Sequence, residues 1–255
     1  MARTSVVTGA ASGIGKATAE LLKSRGERVI GVDLHDADVI ADLSTQAGID
    51  SMVAAVGDAS GGSIDAIFAI AGLSVDKPVT VAVNYFGMVG TLVGLRPLLL
   101  KSDAPRAVGT SSMASLFPPD EILVAAMTDG DRDGAAARAA ELVDSGLIYG
   151  STKKAFAQWI RRTAPTPDWA GASIPLNAVA PGIIRTPMTA DLTATADAEK
   201  ALLQRVPMPL NGIADPIVVA RLIAWLGSVE NTHLCGQVVF VDGGSDVVIR
   251  GDSTW

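Results

Sequence analysis

The sequence is poor in the residues that most readily mark a site. It has one cysteine, Cys235, so no internal disulfide can form and an intracellular setting is expected. Its two histidines, His35 and His233, stand apart from each other and from that cysteine. Metal centres need clustered ligands, so no metal is expected. Lys and Arg number 20 against 27 Asp and Glu, a net charge of −7. Such a chain has no general attraction for nucleic acid or anionic lipid, and neither is expected as a partner. Long apolar runs are missing too. Stretches such as 66–71 and 98–100 fall far short of a membrane span, so no membrane helix is expected. The opening MARTSVVTGA is too short and polar before its first glycine for a signal peptide, and a cytoplasmic protein is expected. Charged residues are only 18% against 49% hydrophobic, which excludes disorder.

What is present is a chain of 255 residues, enough for one large α/β domain over 1–255. Apolar, β-branched runs at 4–8, 28–32, 39–41, 65–70, 107–111, 173–179 and 236–241 read as strands, with helical patterns between most of them. Near-continuous apolar strands separated by helices predict a seven-stranded parallel sheet covered on both faces. Right-handed crossovers make it doubly wound. Two intervals break the rhythm. Between Asp33 and Val39 there is room only for a loop, not a crossover helix. Between about 117 and 148 there is too much chain. This stretch runs helically to about Met127, turns at TDGDRDG and resumes as AAARAAELVDSGL, which reads as an inserted helical pair carrying most of the excess acid.

The first strand leads into Thr8-Gly9-Ala10-Ala11-Ser12-Gly13-Ile14-Gly15, and a helix follows. Glycines allow a tight turn and close approach to a ligand, and a helix start suits a pyrophosphate. A Walker loop would need glycine at Ala10 and a hydroxyl at Ala17, so ATP chemistry is disfavoured. Asp33 ends the second strand, where a carboxylate can accept from the adenosine ribose hydroxyls. It would repel the 2′-phosphate of NADP, and Lys77 is the only cation between Arg28 and Arg96. NAD is therefore the expected cofactor. Asp42 and Leu43, after the third strand, could meet the adenine.

Tyr149 and Lys153 stand four apart in Y-G-S-T-K and would share one helix face. A free phenol titrates near 10, too high for a base at neutrality, and a nearby ammonium is expected to lower it. That makes a tuned proton donor and acceptor for an alcohol or ketone. Taken alone, the pair also fits an ordinary surface contact.

The order of motifs separates these readings. T-G-x-x-x-G-I-G, then Asp33, V-N-Y-F-G (83–87), T-S-S-M-A-S (110–115), Y-G-S-T-K (149–153) and P-G-I-I-R-T-P (181–187) together resemble the short-chain dehydrogenase/reductase family over essentially the whole chain. The resemblance implies a Rossmann fold and a role for each matching residue. Tyr149 is the general acid/base. Lys153 lowers its pKa and holds the nicotinamide ribose. Ser112 binds the substrate oxygen, and Asn84 holds a proton-relay water. Gly9, Ser12, Gly13, Ile14 and Gly15 form the cofactor turn, with Ala71 and Gly72 beside it. Pro181 and Gly182 bind the cofactor after the sixth strand, where the Ile184 backbone and the Thr186 hydroxyl hold the carboxamide. Residues 188–210 form a mobile substrate lid. Strand alternation argues that Ser111 and Ser112 cannot both face the site.

Two departures are informative. Ala69-Ile70-Ala71-Gly72 stands where the family usually has N-N-A-G. The missing helix after the second strand and the long Ser112-to-Tyr149 interval together are similar to one branch of the family, which acts on hydroxyls or ketones of bulky, apolar rings. That branch implies a homodimer or an altered homotetramer, because the extra helices would cover one of the usual packing surfaces. A terpenoid, a diketone and an aryl ketone remain alternative substrates. A non-catalytic nucleotide-binding regulator is the competing reading; its sign would be loss of the Ser–Tyr–Lys set, and all three residues are present. Neither histidine matches a catalytic position. Met113, Leu116, Phe117, Met188 and Leu192 could line an apolar substrate pocket.

Overall fold

Seven strands form one all-parallel sheet in the computed structural model, which describes residues 2–253. They are β1 (Thr4–Thr8), β2 (Arg28–Asp33), β3 (Val39–Ile40), β4 (Ala66–Ala69), β5 (Arg106–Thr110), β6 (Leu176–Pro181) and β7 (Val238–Val241). Their order across the sheet is β3-β2-β1-β4-β5-β6-β7. β4, β5 and β6 are buried at every position, which is why their sequences are apolar without alternation. The order reverses between β1 and β4, and a crevice opens there at the carboxyl ends of the strands.

Helices cover both faces. On one side α1 (Gly13–Ser24) and α9 (Pro216–Leu226) pack Leu22, Val219 and Ile223 onto Val7, Phe68 and Val108. On the other, α2 (Gln46–Ser60), α4 (Met88–Leu99) and α7 (Ile148–Thr163) pack Met52, Leu92 and Phe156 onto Val6, Ile67 and Ala107. Full burial of each such side chain contributes about 1.5–3 kcal/mol. The short α3 (Pro78–Val81) runs through a π-helical segment, Ala82–Gly87, into α4. Together Pro78–Leu99 is long and apolar enough to cross a membrane, which the search for continuous apolar runs did not anticipate. Its Val81, Met88, Leu92, Leu95 and Leu99 belong to the core of this domain.

The two irregular intervals take definite forms. Residues 34–38 are a loop, and the Asp38 carboxylate accepts from the Gly31 N–H at 2.7 Å, holding the loop against β2. The long interval holds α5 (Glu121–Thr128) and α6 (Arg132–Glu141). Asp120 accepts from the Leu123 N–H at 2.7 Å to cap α5 and pairs with Arg138 of α6 at 2.6 Å. The Asp120 N–H donates to Ser151 of α7 at 2.9 Å, so the pair is fastened beside the tyrosine helix. Strand ends differ from the sequence reading where the backbone breaks. β6 begins at Leu176 rather than 173 because Ser173 takes φ 59° after the turn Ala170–Ala172. β7 begins at Val238 because Gly236 takes φ 70°. The remaining elements are α8 (Ala196–Arg205) and α10 (Ser245–Arg250).

Candidate active site

The crevice is an open cleft at the reversal point of the sheet. One wall is the glycine turn. Gly9 takes φ 72°, and a Cβ there would lie 3.0 Å from the Ala71 backbone. A Cβ on Gly15 would lie 2.0 Å from the Gly9 carbonyl, so the turn can close only without side chains at these positions. Ser12 precedes α1 without a side-chain cap, which leaves the first N–H groups of the helix to face the cleft. A negatively charged diphosphate fits this cradle by space and by dipole. Thr8 braces it: its hydroxyl accepts from the Ile70 and Ala71 N–H groups at 2.9 and 3.0 Å. The sequence reading did not single out Thr8.

The opposite wall carries the serine, tyrosine and lysine. The Phe156 ring lies against Gly109 of β5, where a Cβ would approach Cζ to 2.3 Å. This close approach sets the depth of α7. The Ser111 hydroxyl donates to the Lys153 carbonyl at 2.9 Å and fixes the helix along its axis. Both serines border the cleft, but buried Ser111 has its hydroxyl engaged by the Lys153 carbonyl. Only Ser112 presents its hydroxyl to the half-buried Tyr149. The Ser112 hydroxyl also accepts from the Ala114 N–H at 3.1 Å.

The buried Lys153 ammonium donates to the Thr110 carbonyl at 3.0 Å and lies 5.6 Å from the centre of the Tyr149 ring. Burial pushes this lysine down to about 8. The expected lowering of Tyr149 by Lys153 is not what the protein does. Burial raises the phenol above its ordinary value, and the group that works to lower it is Ser112. Desolvation of the charged form outweighs the Ser112 hydrogen bond.

Of the residues singled out from sequence, Gly9, Ser12, Gly13, Ile14, Gly15, Ala71, Gly72, Ser112, Tyr149, Lys153, Pro181, Gly182, Ile184 and Thr186 line this cleft. Four do not. Asn84 lies directly behind Gly72: a Cβ there would meet Asn84 Oδ1 at 3.2 Å and Lys153 Nζ at 3.6 Å. Its side chain accepts from the Leu73 N–H at 2.7 Å and donates to the Leu73 carbonyl at 2.8 Å and to Thr152 at 3.3 Å. Asn84 sits on the π-helical segment, a distortion common at functional positions. Asp33 accepts from Ala11 and Leu34 N–H groups at 2.9 and 2.7 Å, at the end of β2 beside the glycine turn. Asp42 is exposed and accepts from the Ser44 N–H at 2.9 Å. The Leu43 side chain is buried in the core, so it does not face the cleft. Its alternation with exposed Asp42 was the signal for that.

Ile70, Thr110, Ser111, Pro187 and Thr189 also line the cleft and were not assigned to a ligand from sequence; Met188, read there as an apolar wall, does as well. Thr186 leans on the glycine turn, with its Cγ2 placed 3.2 Å from where a Gly13 Cβ would be. Residues beyond it form the turns Pro187–Thr189 and Asp191–Thr193 and then α8, tied back by the Arg185–Glu199 ion pair. Among the described residues no cluster of His, Cys, Asp and Glu could hold a metal ion.

A family model described as enoyl-(acyl carrier protein) reductase matches residues 9–246. The chain is 33% identical to a 3-alpha-hydroxysteroid dehydrogenase/carbonyl reductase of Comamonas testosteroni, covering 96% of this chain and 97% of that one. It is 32% identical to a cis-4-hydroxycyclohexanecarboxylate dehydrogenase of Sinomonas cyclohexanicum, covering 96% and 97%. The crystal structure of the 3-alpha-hydroxysteroid dehydrogenase from Pseudomonas sp. B-0831 complexed with NADH superimposes with a TM-score of 0.90 at 38% identity, covering 98% and 99%.

Proposed function

The chain belongs to the short-chain dehydrogenase/reductase family of oxidoreductases, and from that premise we propose that it interconverts a secondary alcohol and a ketone on a bulky, apolar ring, using NAD(H). The observation that carries this reading is the meeting of Ser112, Tyr149 and Lys153 at one end of a cleft whose other end is a side-chain-free glycine turn. The first three residues suit proton transfer at a carbonyl oxygen, and the turn suits a dinucleotide.

The dinucleotide supplies hydride acceptance or donation when bound. Gly9, Ser12, Gly13, Ile14 and Gly15 would hold its diphosphate, and Asp33 its adenosine ribose. Pro181, Gly182, Ile184 and Thr186 would hold the carboxamide end, with Ala71 and Gly72 between. Tyr149 carries the proton that moves at Oη. Its ordinary pKa of about 10 already leaves the phenol protonated at neutral pH, ready to donate to a ketone oxygen. Ser112 lies against that phenol and orients the substrate oxygen. Lys153 holds the end of β5 and keeps positive charge beside the ring through its bond to Thr110.

Asp33 supports NAD over NADP, since no arginine or lysine stands at the end of β2 or in the loop after it. Met188 in the cleft, with exposed Phe117 and Leu192 on flanking segments, supports an apolar substrate. The segment 188–210 serves as its lid. Names of the related proteins, which act on ring hydroxyls or carbonyls, point the same way. The reading extends to a cytoplasmic homodimer or altered tetramer. The β7 edge is half-exposed along Val238–Val241, and Val247 and Val248 stand exposed on α10. Light scattering that shows a monomer at micromolar concentration would remove the assembly.

The test of the activity is a panel of cyclic and aryl ketones assayed with NADH and with NADPH. Turnover of ring ketones with NADH supports the reading. Preference for NADPH contradicts the role of Asp33, and no turnover of any ketone or alcohol with either cofactor overturns it.

A further inference from the structure

Among the described residues, Thr110 carries the one buried side-chain hydroxyl without a hydrogen-bond partner. The residue is 6% exposed and lines the cleft. Its neighbours are all engaged. Thr8 accepts two N–H groups, Ser111 donates to the Lys153 carbonyl, and Ser112 accepts from Ala114. The Thr110 backbone is engaged as well, through the bond from Lys153 Nζ to its carbonyl. Only the hydroxyl is left over. A buried hydroxyl without a partner costs stability that a valine of the same shape would not. Such a group calls for a reason, and a ligand that completes it is one.

The direction of the side chain narrows the ligand. Val108, two residues earlier on β5, packs in the cluster with α1 and α9. Alternation places Thr110 on that same face, under the glycine turn and Ile184 rather than under α7. Along the sheet, β1 and β4 separate β5 from β2 and its Asp33, whereas β6 with Pro181 adjoins β5 directly. Thr110 thus belongs to the end of the cleft that holds Tyr149, Lys153, Ile184 and Thr186.

We propose that Thr110 is a cofactor-binding residue whose hydroxyl bonds a polar atom in the nicotinamide half of the dinucleotide. This rests on the dinucleotide reading of the cleft given above. It predicts opposite signs for two measurements. The unliganded protein is better off without the hydroxyl, and the complex is better off with it.

Thr110→Val and Thr110→Ser are the variants, titrated calorimetrically with NADH and with ADP-ribose and melted without ligand. Thr110→Val should bind NADH about tenfold more weakly, the loss of roughly one buried hydrogen bond. It should bind ADP-ribose as the unchanged protein does, and its unliganded melting temperature should rise by about 2–4 °C. Thr110→Ser, which keeps the hydroxyl, should bind NADH nearly as well as the parent. Unchanged NADH binding by Thr110→Val overturns the proposal and leaves the dinucleotide reading standing. So does an equal loss for ADP-ribose, or a lowered melting temperature, which would make the hydroxyl structural. A parent protein that fails to bind NADH removes both.

Discussion

Lys153 donates to the carbonyl of Thr110 across 3.0 Å, from a position where its ammonium has almost no contact with solvent. The site thus holds a charge that the fold does not favour. Burial depresses the Lys153 pKa from 10.5 to about 8. Below pH 8 the group is charged in both folded and unfolded protein, and the full penalty, on the order of 3 kcal/mol, is present. Between 8 and 10.5 the unfolded chain binds more protons, so this contribution to stability rises with pH. Above 10.5 the penalty is gone. Lys153→Met should therefore be more stable than the parent in urea at pH 7, with the advantage shrinking toward pH 10. The variant should also lose turnover. A stability difference that stays constant across that range would mean that Lys153 is not desolvated as described.

Tyr149→Phe removes the proton donor and keeps the ring. Turnover should fall by about 10²–10⁴-fold, the usual worth of positioned acid/base groups. NADH affinity should stay within about twofold, because in the proposed reaction the phenol meets the substrate oxygen rather than the dinucleotide. Steady-state kinetics with a fluorescence titration reads both. A variant that keeps near-parental turnover would place the proton elsewhere.

The fold was legible because its strands are buried on both faces, so apolar runs without alternation sufficed to count them. The site was legible where glycines are obligatory, as at Gly9 and Gly15, and where residue types cluster in order, as from Ser112 to Lys153. What stayed hidden depends on distances between segments remote in sequence. Thr8 bracing Ile70, or the unfilled hydroxyl of Thr110, leaves no mark on local pattern. The direction of the Tyr149 shift was misread for the same reason. Sequence shows the ammonium four residues on but not the burial that raises the phenol. Leu43 has its side chain in the core, which leaves its backbone as the part that could meet the adenine.

Asp33→Asn keeps an oxygen to accept from Ala11 or Leu34 and removes the charge. Discrimination against the 2′-phosphate should fall by about tenfold or more, since a unit charge near a phosphate is worth several kcal/mol at intermediate dielectric. The ratio of kcat/KM for NADH and NADPH measures it. An unchanged ratio would show that cofactor choice lies outside Asp33.

Arg132, at the start of α6, reaches across to the loop after β3. Its Nη1 donates to the Ser44 carbonyl at 3.3 Å, and its guanidinium lies 4.7 Å from the centre of the Phe86 ring. The same loop is held from below, because a Cβ on Gly87 would come within 2.5 Å of the Leu43 carbonyl. The helical pair thus clamps the chain beside Asp42, the residue proposed to meet the adenine. Arg132→Met removes the charge and keeps the apolar stem over Phe86. The lost carbonyl bond and cation–π contact are each worth about 0.5–2 kcal/mol. If the loop shapes the adenosine site, KM for NADH should rise about three- to tenfold while kcat stays within twofold. A fall in kcat with KM unchanged would show instead that α6 acts on α7 and the tyrosine.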